Sequence, residues 1–257
     1  MRRLVWILLT TVTLSAPVIL APRALADTPG LPAGFVHLAA IDPSIRQDIR
    51  YHGSFNFVGR PIAGYRAAEC ILTDKAARAL SAAQAELASR GLTLVVWDCY
   101  RPVQAVQDFM AWSRDAGDDR MRRVFYPQVD KRTLSAEGYI SARSTHSRGS
   151  TVDVGVARAG AARGASGGQG ACTAPPGQRV DDGTLDLGTA FDCFDPRSGL
   201  ADRRIGSVAR ANRLMLLQVM TRHGFRGYPR EWWHFQLRNE PFPNQTFDFP
   251  VVSRGNR

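Results

Sequence analysis

The chain has 257 residues, 44% of them hydrophobic, with four cysteines and a formal net charge of +10. That length suits one large domain or two small ones and is ample for a buried core. The positive charge comes from arginines scattered along the sequence, with no basic block and no aromatic-basic motif, so it describes a solvated cationic surface and excludes a nucleic-acid-binding module.

Arg2 and Arg3 precede the apolar run LVWILLTTVTLSAPVILA, which closes at Ala24-Leu25-Ala26. This is the pattern of a secretory signal with an A-x-A cleavage site. Pro17 interrupts the run and Pro22 follows it, which argues against a retained membrane anchor. Cleavage would leave residues 27–257 as a single domain, remove three arginines and no acids, and lower the formal charge to +7. The mature chain is then expected to be periplasmic or secreted. In that setting the even set Cys70, Cys99, Cys172 and Cys193 reads as disulfides. Of three possible pairings, Cys70–Cys99 and Cys172–Cys193 is the sequence-nearest. No CxxC spacing supports a cysteine-only zinc site.

From Phe35 to Tyr65 the chain is rich in turn residues, with a β-like DIRY at 48–51. Thr73 and Asp74 can cap a helix whose apolar stripe is Ala76, Leu80, Ala83 and Leu87, and Gly91 ends it. The run LTLVVW (92–97) reads as a buried strand. Asp98-Cys99-Tyr100-Arg101 then leads to Pro102 at the first turn of a helix over 102–115, placing Arg101 at a strand-to-helix corner. That helix is expected to bury Val103, Val106, Phe109 and Met110. Residues 116–143 show no clear pattern. In TVDVGV (151–156) the valines take one strand face and Asp153 the other, small and open, face. The Gly/Ala/Pro-rich stretch 157–178 reads as a flexible loop between two strands. A helix over 204–223, with Val208, Ala211, Met215 and Val219 on its apolar face, ends at Gly224, and strands follow at about 224–228 and 233–238. Strands and helices do not alternate regularly, which gives an α+β domain with helices packed on a mainly antiparallel sheet.

Two short stretches carry the chemistry. STHSRGSTVD (144–153) holds His146 and Asp153, and EWWHF (231–235) holds Glu231 and His234. Two imidazoles and a carboxylate form a borderline donor set that suits one Zn²⁺ and leaves a position for water. Gly149 lets the backbone turn tightly between His146 and Asp153. Glu231 can accept a proton from an attacking water without being a ligand, and Arg101 can face the oxyanion that forms on the attacked carbonyl.

SxHxxGxxxD at Ser144, His146, Gly149 and Asp153, followed by ExxH at Glu231 and His234, resembles the zinc-dependent D-Ala-D-Ala metallopeptidases that share the hedgehog-like fold. Within that group NFVGRPIAGY (56–65), WDCYRP (97–102), THSRGSTVDV (145–154), FDCFD (191–195) and EWWHF resemble the D-alanyl-D-alanine dipeptidases of the VanX type, in family order over about residues 45–250. The resemblance implies one zinc per chain on His146, Asp153 and His234, Glu231 as general base and then acid, and Arg101 on the tetrahedral intermediate. It also implies a dipeptide pocket lined by Tyr51, Ser144 and Asp192, with Asp192 on the substrate's ammonium and Ser144 on its carboxylate. The expected reaction is hydrolysis of free D-Ala-D-Ala to two D-alanines by metal-activated water. The alternatives are a carboxypeptidase that trims peptidoglycan stem peptides with the same metal set, and a zinc-stabilised binding module without catalysis. Relative to compact family members the 157–178 loop looks longer, and Cys99 and Cys193 stand inside otherwise matching motifs.

Overall fold

In the computed structural model, which describes residues 30–161 and 170–255, the strands are Phe35–His37 (β1), Arg46–Gln47 (β2), Ile71–Thr73 (β3), Leu92–Asp98 (β4), Thr151–Arg158 (β5), Phe225–Tyr228 (β6) and Glu231–Leu237 (β7). The helices are Leu38–Ile41 (α1), Asp74–Ala88 (α2), Val103–Arg114 (α3), Arg122–Phe125 (α4) and Ser207–Arg222 (α5). The central sheet runs β2-β4-β5-β7-β6; the β2–β4 pair is parallel and the others are antiparallel. β1 and β3 form a separate antiparallel ribbon. The fold is therefore α+β on a mainly antiparallel sheet. The leader segment 1–26 and residues 162–169 lie outside the described residues.

α2 forms where its apolar spacing places it. Thr73 accepts the Ala76 N–H, and Ala76, Leu80, Ala83 and Leu87 are fully buried. A threonine cap of this kind contributes about 1 kcal/mol. α2 and α5 pack on each other and against β4, β6 and β7, closing the core beneath the sheet.

Several expectations are corrected. DIRY is not a strand: β2 ends at Gln47, and Arg50–His52 is a 3-10 turn that buries Arg50 and Tyr51. Pro102 is the N-cap of α3, and that helix buries Ala105, Val106, Phe109 and Trp112, leaving Val103 and Met110 half-buried. The apolar face assigned to α5 is rotated. Val208 is 65% exposed and Ala211 is exposed, while Ala209, Arg213, Leu216, Val219 and Met220 are buried. Arg213 explains the error. Its guanidinium donates to the carbonyls of Leu187 and Gly199 at 2.6 Å each, so a cation occupies the core-facing stripe and breaks the apolar period.

The 157–178 stretch does not join two strands directly. β5 runs to Arg158, and an irregular segment and then α5 intervene before β6. The strand face that carries Asp153 is also not open. Asp153 is 2% exposed, and a Cβ on Gly155 would lie 2.4 Å from the Trp97 ring and 3.2 Å from Thr184. The segment after the loop folds back over this face. That return brings Asp192 to the site.

Candidate metal centre and active-site cavity

Neighbouring strands deliver the central residues. Asp98 at the end of β4 stands opposite Asp153 of β5, and Asp153 stands opposite His234 of β7. Directly opposed residues project from the same sheet face, so register alone gathers two carboxylates and an imidazole. His146 comes from the 3-10 turn Thr145–Arg148, which Ser144 caps by accepting the His146 N–H at 3.3 Å. Gly149 ends this turn at φ +76°, and a Cβ there would meet the Phe35 ring at 2.2 Å. Both the left-handed backbone and the packing require glycine.

His146 Nε2 lies 3.2 Å from His234 Nδ1, and each lies 3.3 Å from Asp153 Oδ1. Bonds of roughly 2.0–2.1 Å at tetrahedral angles put neighbouring donors roughly 3.3–3.4 Å apart. The triangle thus has the size of one face of a four-coordinate site. Hydrogen bonds set which ring nitrogens face inward: His146 Nδ1 donates to the Cys99 carbonyl at 2.7 Å, and His234 Nε2 pairs with Thr145 Oγ1 at 3.4 Å. Asp153 Oδ1 is buried without a hydrogen-bond donor. Three lone pairs facing one another in a buried space repel, and a cation among them removes the repulsion. The donor set therefore fits a small divalent ion, and among the described residues these three form the group of His, Cys, Asp and Glu side chains able to hold one.

Protonation agrees with this. Burial pulls the His234 imidazole below its ordinary value, so it is neutral at pH 7. Burial alone would raise Asp153, but the charge of the neighbouring His146 and His234 rings, when they are protonated, holds its carboxyl far below the usual range, so it stays ionised as the rings lose their protons. Ligands for a metal must be deprotonated in this way.

The residues singled out from the sequence, Tyr51, Arg101, Ser144, Asp192 and Glu231 with the three candidate ligands, all line one cavity of about 530 Å³. This volume is typical of small-molecule sites. Arg101 lies across Asp98, with Nε at 2.9 Å and Nη2 at 2.8 Å from Asp98 Oδ2, and Nη2 is 3.6 Å from Asp153. Its guanidinium carbon also sits 5.2 Å from the Tyr51 ring centre and 5.1 Å from that of Phe109. Burial opposes its charge, but Asp98 and Asp153 keep the guanidinium protonated. Glu231 Oε2 is 3.6 Å from His234 Nδ1. Burial, then the negative charges of Asp153 and Asp192, push the Glu231 carboxyl well above the carboxylate range. Asp192 is buried, accepts the Tyr51 hydroxyl at 2.9 Å, and is likewise raised, first by burial and then by Asp153.

Sequence reasoning missed Asp98. It is fully buried, accepts from the Tyr65 hydroxyl at 2.6 Å and from Arg101, and lies 3.3 Å from His146 Nδ1. The signal was available: a carboxylate closing an apolar strand three residues before an arginine is a buried charge that requires a partner.

Both disulfides, Cys70–Cys99 and Cys172–Cys193, join the expected partners, with Cα separations of 5.4 and 5.5 Å. Each is one residue from the site: Cys99 follows Asp98 and supplies the carbonyl that orients His146, and Cys193 follows Asp192. Closing loops of these lengths stabilises by roughly 3–4 kcal/mol per bridge. Reduction is expected to lower the melting temperature by roughly 6–16 °C per bridge and to reduce activity in parallel. Non-reducing peptide mapping should yield 70–99 and 172–193 linked fragments; crossed links or four free thiols would refute the pairing.

A family model described as D-ala-D-ala dipeptidase, within the M15 peptidases, matches residues 32–252. The chain is 35% identical over 219 residues to a D-alanyl-D-alanine dipeptidase of Enterococcus faecium, covering 85% of this chain and 98% of that protein. It is 34% identical over 219 residues, with the same coverage, to the protein of that name from Streptomyces coelicolor. With the one from Escherichia coli it shares 30% over 203 residues, or 79% of this chain and 83% of the relative.

Proposed function

The chain belongs to the D-Ala-D-Ala dipeptidase family of the M15 peptidases, and we propose on that footing that it is a zinc-dependent enzyme that hydrolyses free D-Ala-D-Ala to two D-alanines. The observation that carries this reading is the triangle of His146, Asp153 and His234 in one cavity with Glu231, Arg101 and Asp192. The two imidazoles and the carboxylate would hold the ion. When bound, zinc supplies Lewis acidity toward a water and toward the scissile carbonyl.

The remaining work belongs to side chains. Glu231 takes a proton from the attacking water and delivers it to the departing amine as the C–N bond breaks. Its raised proton affinity suits delivery of the proton to the amine, and a cation at the neighbouring ligands would oppose that rise and favour the ionised form that accepts it. Arg101, held by Asp98, faces the negative charge that develops on the carbonyl oxygen. Arg101→Ala is expected to retain zinc and lose on the order of 10²–10³-fold in kcat, the loss typical of one oxyanion donor. Full activity in that variant would assign Arg101 a structural role.

Asp192, with Tyr51 donating to it, receives the substrate's ammonium, and the Ser144 hydroxyl donates to the substrate's carboxylate. A buried carboxylate that needs a cation favours a free amino terminus over the acylated one of a stem peptide. Asp192→Ala is expected to lower kcat/KM by roughly 10–100-fold, the range for a lost hydrogen bond to a charged group, with zinc content unchanged. The deciding assay compares D-Ala-D-Ala with its N-acetyl form on the purified, metal-analysed protein. Preference for the free dipeptide supports the dipeptidase, equal rates favour the carboxypeptidase, and no turnover of either points to a binding module.

Two disulfides and the leader pattern at 1–26 support export, which places the substrate outside the cytoplasmic membrane. No helix among the described residues is long and apolar enough to cross a membrane. Activity recovered mainly from the cytosol on fractionation would overturn export.

A further inference from the structure

Asp192 is the only non-glycine residue among those described with a positive φ, at 57°. A backbone of that kind in a buried aspartate persists only when its surroundings fix it. The fixing groups stand on either side. On the N-terminal side the Phe191 N–H donates to Asp182 Oδ2 at 2.8 Å, and Phe191 stacks on Trp97 with ring centres 4.7 Å apart. On the C-terminal side, Cys193 is held by its disulfide, and its carbonyl accepts from Ser198 Oγ at 2.6 Å.

Asp182 has a second partner. Its Oδ1 accepts from Arg50 Nη2 at 2.8 Å, and both side chains are 5% exposed. Arg50 is the residue before Tyr51, whose hydroxyl binds Asp192. Asp182 therefore links the chain neighbour of Tyr51, through its ion pair with Arg50, to the chain neighbour of Asp192, through the Phe191 N–H. The two segments are more than a hundred residues apart in sequence and meet at both ends of this bracket: Arg50 to Asp182, and Tyr51 to Asp192.

We propose that Arg50 and Asp182 are positioning residues for substrate recognition: their ion pair sets the Phe191–Asp192 backbone and the Tyr51 ring so that the Asp192 carboxylate meets the dipeptide's ammonium. This rests on the dipeptidase reading above and extends it to residues that do not line the cavity. A displaced Asp192 weakens ammonium binding, while the candidate ligands and Glu231 stand on other segments and Arg101, although it packs on Tyr51, stays anchored by Asp98. The signature is a rise in KM with little change in kcat.

Breaking a buried pair by removing one partner destabilises the fold, whereas replacing both with apolar residues of similar size is often neutral. The test is therefore the double variant Arg50→Met/Asp182→Leu, checked for fold by circular dichroism and for metal content. KM for D-Ala-D-Ala is expected to rise roughly 10–100-fold, the range for a lost hydrogen bond to a charged group, with kcat nearly unchanged and the preference over N-acetyl-D-Ala-D-Ala reduced. In an Asp192→Ala background the same double substitution is expected to add no further loss, because it acts through Asp192. If the double variant does not fold, Asp182→Asn, which keeps the shape and removes the charge, takes its place with the same expectations. An unchanged KM in a folded variant, or an equal loss in both backgrounds, overturns the proposal while the dipeptidase reading stands. A parent enzyme that leaves D-Ala-D-Ala intact overturns both.

Discussion

His146→Ala and His234→Ala should each yield folded protein that purifies without stoichiometric zinc and without detectable hydrolysis of D-Ala-D-Ala. Each imidazole supplies one corner of a donor triangle with edges of 3.2–3.3 Å, and alanine leaves only two corners. Two donors hold a divalent ion far less firmly than three. Even the loss of a group that only hydrogen-bonds a ligand typically costs roughly 10–100-fold in affinity or activity, so the loss of a ligand should exceed that. The check is metal analysis of each variant beside the parent, followed by chelation and zinc return. Added zinc should restore the chelated parent and neither variant. Full zinc occupancy in both variants would sink the ligand assignment. The fold should survive, because the core is built on aromatic and aliphatic packing such as Trp97 on Phe191 and Tyr100 on Phe249, in which neither histidine takes part.

How far the sequence reveals such a site depends on whether local pattern or long-range return places each residue. α2, β4 and β5 follow their apolar periods, so the strand carrying Asp153 and the corner carrying Arg101 were legible from period and turn chemistry. His146 and Gly149 were legible together because a glycine that lets the chain turn tightly is a local device, whereas Ser144 came only through resemblance to a family. The face of α5 was not, since buried Arg213 donates Nε and Nη1 to carbonyls from another segment, which no helical period encodes. Asp192 and Tyr51 came only through resemblance to a family. Their meeting depends on the segment after 170 folding back over β4 and β5, and on the Arg50–Asp182 pair. Asp98 shows a different limit. Its charge is visible in WDCYRP, but its role as the hub for Tyr65, Arg101 and His146 appears only once the strand register is known.

Glu231 gives the other large expected effect, and it separates chemistry from metal binding. Glu231 lies on β7 with His234, and Oε2 is 3.6 Å from that ring, yet it lies outside the three-donor triangle. Its removal should therefore leave the ion in place and eliminate only the route by which the water's proton leaves and the amine's proton arrives. Glu231→Ala is expected to bind zinc nearly as the parent does and to lose at least the roughly 10²–10⁴-fold typical of general acid–base catalysis. The loss should sit at the upper end or beyond, because on the proposed mechanism one carboxylate would serve both transfers. Glu231→Gln keeps the shape and removes the base, so it should lose activity comparably. Relieving the repulsion that Asp153 and Asp192 exert on a third buried carboxylate should leave that variant no less stable than the parent. Zinc analysis, kcat and a thermal melt on the same preparations decide among the roles. Loss of zinc from Glu231→Ala would make Glu231 a ligand and send the search for the base elsewhere. Undiminished turnover would make EWWHF a structural strand and remove the proton path on which the hydrolytic mechanism depends.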